Sequence, residues 1–178
     1  ERKLLQEKKI LEDKVNERTA EVVEKNKELD EINKDITASI RYAKRIQDAI
    51  LPPDDFVKIH LPNTFVLFKP KDIVSGDFYW MEEHKDSVIF AAVDCTGHGV
   101  PGAFMSIVGE NLLNKAVFES KLTSPADILN HMNIGLGITL KQSEESSVIR
   151  DGMEITLCKW DKKKNEMTFA GANHILYQ

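Results

Sequence analysis

The chain has 178 residues, 42% of them hydrophobic and 30% charged, with a net charge of −5. That is enough for one ordinary domain plus an appendage; it excludes a disordered chain, and no apolar run reaches the roughly 18 residues of a membrane span. Residues 1–50 carry 12 basic and 12 acidic side chains, whereas residues 51–178 carry 12 basic and 17 acidic, an imbalance that excludes nucleic-acid binding as the main work of the second part.

From Leu4 to Ile50 the apolar residues follow a heptad. The a positions are Lys8, Val15, Val22, Leu29, Ile36, Ala43 and Ile50; the d positions are Leu4, Leu11, Arg18, Lys25, Ile32, Ser39 and Ile46. Ten of these 14 are apolar, and no Gly or Pro interrupts before Pro52. The spacing predicts a long coiled-coil helix over residues 1–51, a rod of roughly 70 Å. A single solvated helix is the competing reading, disfavoured because so long a helix with one narrow stripe is marginal alone. Arg18 and Lys25 weaken the seam at consecutive d positions. Pro52-Pro53 then stops the helix.

Residues 52–178 read as a second domain. Thr64–Lys69 and Ile73–Met81 read as strands, Glu82–Asp86 as a turn, and Val88–Val93 as a strand buried on both faces. A Gly-rich turn leads to a helix from about Gly102 to Glu119. Ser124 caps a second helix, with Pro125 at its first position, running to about Gln142. Lys141–Arg150 reads as a polar loop. Met153–Trp160, Met167–Ala172 and Ile175–Tyr177 finish as strands, with a turn at Asp161–Asn165. Hairpin, helices, hairpin is an α+β pattern with a mainly antiparallel sheet.

Two cysteines, Cys95 and Cys158, support neither a disulfide framework nor a cysteine zinc site. Reduced thiols in a cytoplasmic setting are expected. The chain opens on Glu1 and has no signal peptide, so a piece of a longer protein is expected, one that upstream segments are free to anchor in a membrane.

Two carboxylates stand out. Asp77 lies within Val74-Ser75-Gly76-Asp77-Phe78-Tyr79-Trp80. A charge in an aromatic strand is costly to bury unless paired or metal-bound, although the solvent face of a half-buried strand also accommodates it. Asp94 ends the most apolar strand and precedes Cys95-Thr96-Gly97-His98-Gly99-Val100-Pro101-Gly102. Glycines let backbone approach a bound ion or phosphate, and two carboxylates on neighbouring strands suit a pair of hard cations such as Mg²⁺ or Mn²⁺. A capped strand-to-helix turn fits Asp94 equally well. His98 between glycines is more often structural than a ligand, and the Gly97-His98-Gly99 stretch lacks the Lys and the spacing of a phosphate-binding P-loop. Cys95 has no base nearby in sequence to make it a nucleophile. Asp151, His174, and the Lys69 and Lys71 that flank Pro70 stay open between a site role and a structural or solvated one.

Together these segments are specific. Phe68-Lys69-Pro70-Lys71-Asp72-Ile73-Val74-Ser75-Gly76-Asp77-Phe78-Tyr79 followed by Val93-Asp94-Cys95-Thr96-Gly97-His98-Gly99-Val100-Pro101-Gly102-Ala103 resembles the bacterial SpoIIE/RsbU branch of the metal-dependent (PPM) serine/threonine phosphatases. Ala43–Pro52 looks like the helix leading into that domain, and Asp151–Leu157 and Ala170–His174 look like its later strands. The resemblance implies an antiparallel β-sandwich with flanking helices that hydrolyses phosphoserine or phosphothreonine by a metal-bound hydroxide, without a covalent enzyme intermediate. By motif match, Asp94 bridges two Mn²⁺ or Mg²⁺ ions, Asp77 binds one of them, and the Cys95 carbonyl completes part of the shell; His98 gains no assured role.

The family carries further metal-binding aspartates, one in a Ser-Asp-Gly motif, beyond the strand that ends here at Gln178. The resemblance therefore implies a C-terminally incomplete phosphatase domain, weakly active or inactive by itself, within an active parent. It also implies homodimerisation through the coiled coil, control by an upstream sensor domain, and a phosphorylated anti-sigma-factor antagonist as substrate. The competing readings are a catalytically inactive phosphoprotein-binding module and a dimerising signalling scaffold.

Overall fold

The computed structural model describes residues 2–141 and 151–177. The chain divides into two compact units, Glu1–Arg41 and Tyr42–Gln178. Helix α1 runs unbroken from Arg2 to Ile50, as a sequence free of Gly and Pro allows. In the first unit its apolar stripe is uncovered: Leu4, Leu11, Val15, Val22, Leu29, Ile32 and Ile36 are all exposed. The two cations in that stripe find acids on their own helix. Arg18 pairs with Glu21 at 2.6 Å and Lys25 with Glu28 at 2.7 Å. Among the described residues no helix is long and apolar enough to cross a membrane.

The second unit contains α2 (Asp54–His60), β1 (Phe78–His84), β2 (Ser87–Cys95), α3 (Gly99–Asn114), α4 (Pro125–Thr139), β3 (Met153–Asp161) and β4 (Glu166–Ala172). The strands form one antiparallel sheet in the order β1-β2-β3-β4. The class is α+β, as expected, with the long helix in front. Tight turns close the two hairpins. Lys85 and Asn165 adopt left-handed φ of 55° and 56°, and Asp161 Oδ1 accepts the Lys163 and Lys164 N–H groups.

Alternation sorts the sheet's two faces. Phe78, Trp80, Ile89, Ala91, Val93, Ile155 and Leu157 point to one side and pack with Met105, Leu112, Leu113, Ile128 and Met132 of α3 and α4. On the other side Val57 packs with Met81 and Val88, and Phe56, Leu61, Tyr79 and Phe90 border that smaller cluster. Ala92, Met167 and Phe169 on that side stay exposed.

Several element boundaries differ from the sequence reading. Thr64–Lys69 is extended but has no ladder partner, which is what makes a strand, and Ile175–Tyr177 is likewise irregular. The strand expected at Ile73–Met81 begins only at Phe78, because Val74, Ser75 and Gly76 turn inward and are buried. Helix α2 went unnoticed; its signals are Asp54 and Asp55 in the first turn and Lys58 and His60 in the last, matching the helix dipole. Helix α3 starts at Gly99 rather than Gly102, and Lys115–Glu119 continues it as a wider π-type turn. The polar loop expected at Lys141–Arg150 lies, apart from Lys141, outside the described residues.

A long polar side chain is sunk in this unit among several buried hydroxyls. Gln47, near the end of α1, is 1% exposed. Its Nε2 donates to the Ser75 carbonyl at 2.6 Å and to Ser106 Oγ at 2.8 Å, and its Oε1 accepts the Ser75 N–H at 3.0 Å. Ser106 in turn donates to the Ala103 carbonyl at 2.8 Å. Replacing the amide by an apolar group of equal length leaves the Ser75 backbone unpaired and buried. Gln47→Met should therefore cost about 2–4 kcal/mol in urea unfolding, with little change in the denaturant slope.

Candidate metal centre

The register of the sheet sets the site. Phe78 pairs with Val93, so the next residues outward, Asp77 and Asp94, are neighbours at the sheet's end. Asp94 pairs on its other side with Glu154 of β3. Three carboxylates thus stand in one row across three strands, an arrangement that disfavours folding unless something offsets the charge.

Glycines make the close approach possible. A Cβ on Gly76 would lie 2.7 Å from the Gly97 carbonyl oxygen and 3.0 Å from that of Cys95. A Cβ on Gly102 would lie 2.6 Å from the same Gly97 oxygen and 2.9 Å from Gly76 Cα. The segment before β1, the turn after β2 and the start of α3 therefore touch backbone to backbone. Gly97 also needs its φ of +92°, which an L side chain resists. Ser75 completes the support: its Oγ accepts the Asp77 N–H at 3.0 Å while its own backbone is held by Gln47.

Asp77 and Asp94 share a cavity of about 670 Å³ with Lys71, Asp72, Cys95, His98, Glu154 and Asn173. The Asp77 carboxyl is pushed above its ordinary 3.8, first by desolvation, then by a hydrogen bond with Asp94 and by that neighbour's charge. Burial, and then the charges of Asp94 and Asp77, push the Cys95 thiol up to about 12. A thiol so protonated is no nucleophile at neutral pH, and the side chain is buried, so the group of Cys95 that reaches the turn is its carbonyl. That carbonyl packs against Gly76, one residue from Asp77.

The pair suits a hard divalent cation. Its donors are oxygens, and the Asp94 charge raises the proton affinity of Asp77. Among the described residues no third His, Cys, Asp or Glu side chain joins them to complete a metal cluster. Glu154, the third member of the row, takes the Asn173 amide as its partner instead.

The other sequence candidates fall around this pair. His98 Nδ1 lies 2.8 Å from Asp72 Oδ2, so the ring is oriented at the cavity wall. His174 leaves the cavity and meets Thr156 Oγ1 at 3.0 Å. Lys71 lines the cavity, and Lys69 lines the open sheet face on the far side of the two aspartates. Gly152, beside Asp151, exchanges bonds with Thr96 and so ties β3 to the turn. Sequence reasoning missed Gln47, Glu154, Asn173 and the Asp72–His98 contact. Only Gln47 left a trace, as a short polar residue inside a helix end otherwise rich in apolar and basic side chains.

The raised Asp77 carboxyl carries a pH signature. The folded state holds that proton more tightly than the unfolded chain, so the charge costs nothing below the ordinary value near 3.8 and its full amount above the raised one. Asp77→Asn should raise the melting temperature of the metal-free protein at pH 7 by about 1–3 °C, a difference that vanishes in acid. Should Asp77 hold a cation, excess Mn²⁺ would reverse the order, because the variant binds the ion more weakly.

Comparison with known proteins places the fold. The family described as Stage II sporulation protein E (SpoIIE) matches residues 84–177. The chain is also similar to the SiaA-PP2C domain of Pseudomonas aeruginosa, with a TM-score of 0.70 and 35% identity over 79% of this chain and 55% of that one. It thus spans about half the length of that structure. No curated protein matches the chain. A family match over more than half of the residues, with the same fold in a PP2C domain, gives the assignment: the chain belongs to the SpoIIE family of PPM-type phosphatases.

Proposed function

We propose that this chain is the metal-binding part of a protein phosphatase that hydrolyses phosphoserine or phosphothreonine in a bacterial regulatory protein of the anti-sigma-factor-antagonist type. The observation that carries the reading is Asp77 beside Asp94, one strand apart and short of positive charge. Asp94 would bridge two Mn²⁺ or Mg²⁺ ions, and Asp77 and the Cys95 carbonyl would add to the shell. Bound there, such ions neutralise phosphate charge and acidify water. The residues' own task is to hold these oxygens fixed in place, which the glycine contacts and Ser75 support. The open cavity leaves room for a phosphorylated side chain to enter. His98, steadied by Asp72, orients an imidazole along that path.

Regulation through α1 fits the same reading. The helix with the uncovered stripe also bears Gln47, and Gln47 holds the Ser75 backbone that seats Asp77. A homodimer formed on the stripe, driven by an upstream sensor domain, would turn this helix and so reset Asp77. About 100° of rotation separates neighbouring residues, so even a small turn removes the Gln47 amide from Ser75. A cytoplasmic setting suits reduced Cys95 and Cys158. The engagement of Glu154 by the Asn173 amide, rather than with the aspartate pair, favours, as the second reading, a phosphoprotein-binding module without turnover.

Two measurements test the proposal. In the full-length protein, Mn²⁺-dependent phosphate release from a phosphorylated substrate should fall roughly 100-fold or more in Asp94→Asn, with chelator abolishing the wild-type rate. Metal binding without turnover would favour the second reading. In sedimentation, Leu29→Glu with Ile36→Glu should convert a dimer into a monomer; a dimer that survives would refute the seam.

A further inference from the structure

The cavity beside the two aspartates is acidic on nearly every side. Asp72, Asp77, Asp94 and Glu154 line it. Among the described lining residues one ammonium faces them, that of Lys71. Four acids share the cavity with it, yet it forms no ion pair or hydrogen bond within the described residues. Asp72 turns instead to His98, and Glu154 to Asn173.

The backbone at Lys71 is nevertheless held. The ring of Pro70, the residue before, locks that residue's own φ, and the Asp72–His98 contact at 2.8 Å ties the residue after to the Gly97–Gly99 turn. Val74 and Ser75 are buried three and four residues further on. A flexible four-carbon stem thus rises from a fixed base, with its charge unspent, at the edge of a carboxylate pair suited to cations. We propose that Lys71 is the phosphate-binding residue of this site, donating to phosphoryl oxygens of the substrate's phosphomonoester that face away from the metal-binding aspartates. This rests on the phosphatase reading above and names the side chain that recognises the reacting group. A Lys acts there as a point charge, so Arg can replace it in part, whereas an apolar side chain cannot.

The test uses the full-length protein with Mn²⁺ and two substrates, p-nitrophenyl phosphate and a phosphoserine protein. Lys71→Met should raise KM for both about 10-fold and weaken competitive inhibition by inorganic phosphate to the same degree. It should leave kcat within about threefold and the Mn²⁺ dependence unchanged, while Lys71→Arg restores most of the KM. Lys58→Met, the same charge change on α2, should alter neither. An unchanged KM for p-nitrophenyl phosphate in Lys71→Met overturns the assignment while leaving the phosphatase reading intact. A KM effect confined to the phosphoprotein also overturns it, since that makes Lys71 a protein-docking residue. A wild type without metal-dependent turnover overturns the phosphatase reading and this assignment with it.

Discussion

The site depends on backbone meeting backbone at Gly76, Gly97 and Gly102. A Cβ on Gly76 or Gly102 would lie 2.6–3.0 Å from the facing main chain, and the Gly97 carbonyl is the atom that both would meet. Close packing leaves no slack for a methyl group there, so the three chain segments are locked at one separation. Everything functional hangs on that separation. It sets Asp77 beside Asp94, presses the Cys95 carbonyl toward Gly76, and starts α3 at the cavity's edge.

Against that lock works the charge it creates. Two carboxylates are held together while burial and mutual repulsion raise the affinity of Asp77 for protons. The fold tolerates this because the hydrophobic layer between the sheet and α3–α4 is well filled, reaching Phe78, Val93 and Cys95 beside the two aspartates. Stability is thus generated on one face of the sheet and spent at its end, a common division between scaffold and site. Gln47 stands between the two: a buried amide with every polar atom engaged, it ties the end of α1 to both the loop of Asp77 and helix α3.

Much of this was legible in the sequence, and the limits have physical causes. The heptad of α1, the apolar run of β2, the Ser124-Pro125 helix start and the β3–β4 hairpin are local patterns, and all appear. Asp77 and Asp94 were marked by charge set against apolar neighbours. What local pattern cannot carry is pairing. Thr64–Lys69 has strand composition but no partner, so it stays irregular. Glu154 became a neighbour of Asp94 only through the β2–β3 register, and Gln47 reached Ser75 from 28 residues away. The Asp72–His98 contact spans 26 residues and follows from the glycine lock rather than from any spacing.

The strand order has a kinetic consequence. The sheet consists of two sequence-local hairpins, β1–β2 and β3–β4, each closed by a short turn. Between them runs the long ladder that pairs Ser87 with Asp161 and Cys95 with Met153, across the whole α3–α4 layer. Local hairpins close in microseconds, whereas joining them requires the entropy of a large loop to be overcome first. The carboxylate pair is therefore made within the early hairpin, and Glu154 and the cavity wall arrive with the late ladder. The helices between them govern how quickly the site is completed during synthesis, as well as how firmly it is held afterwards.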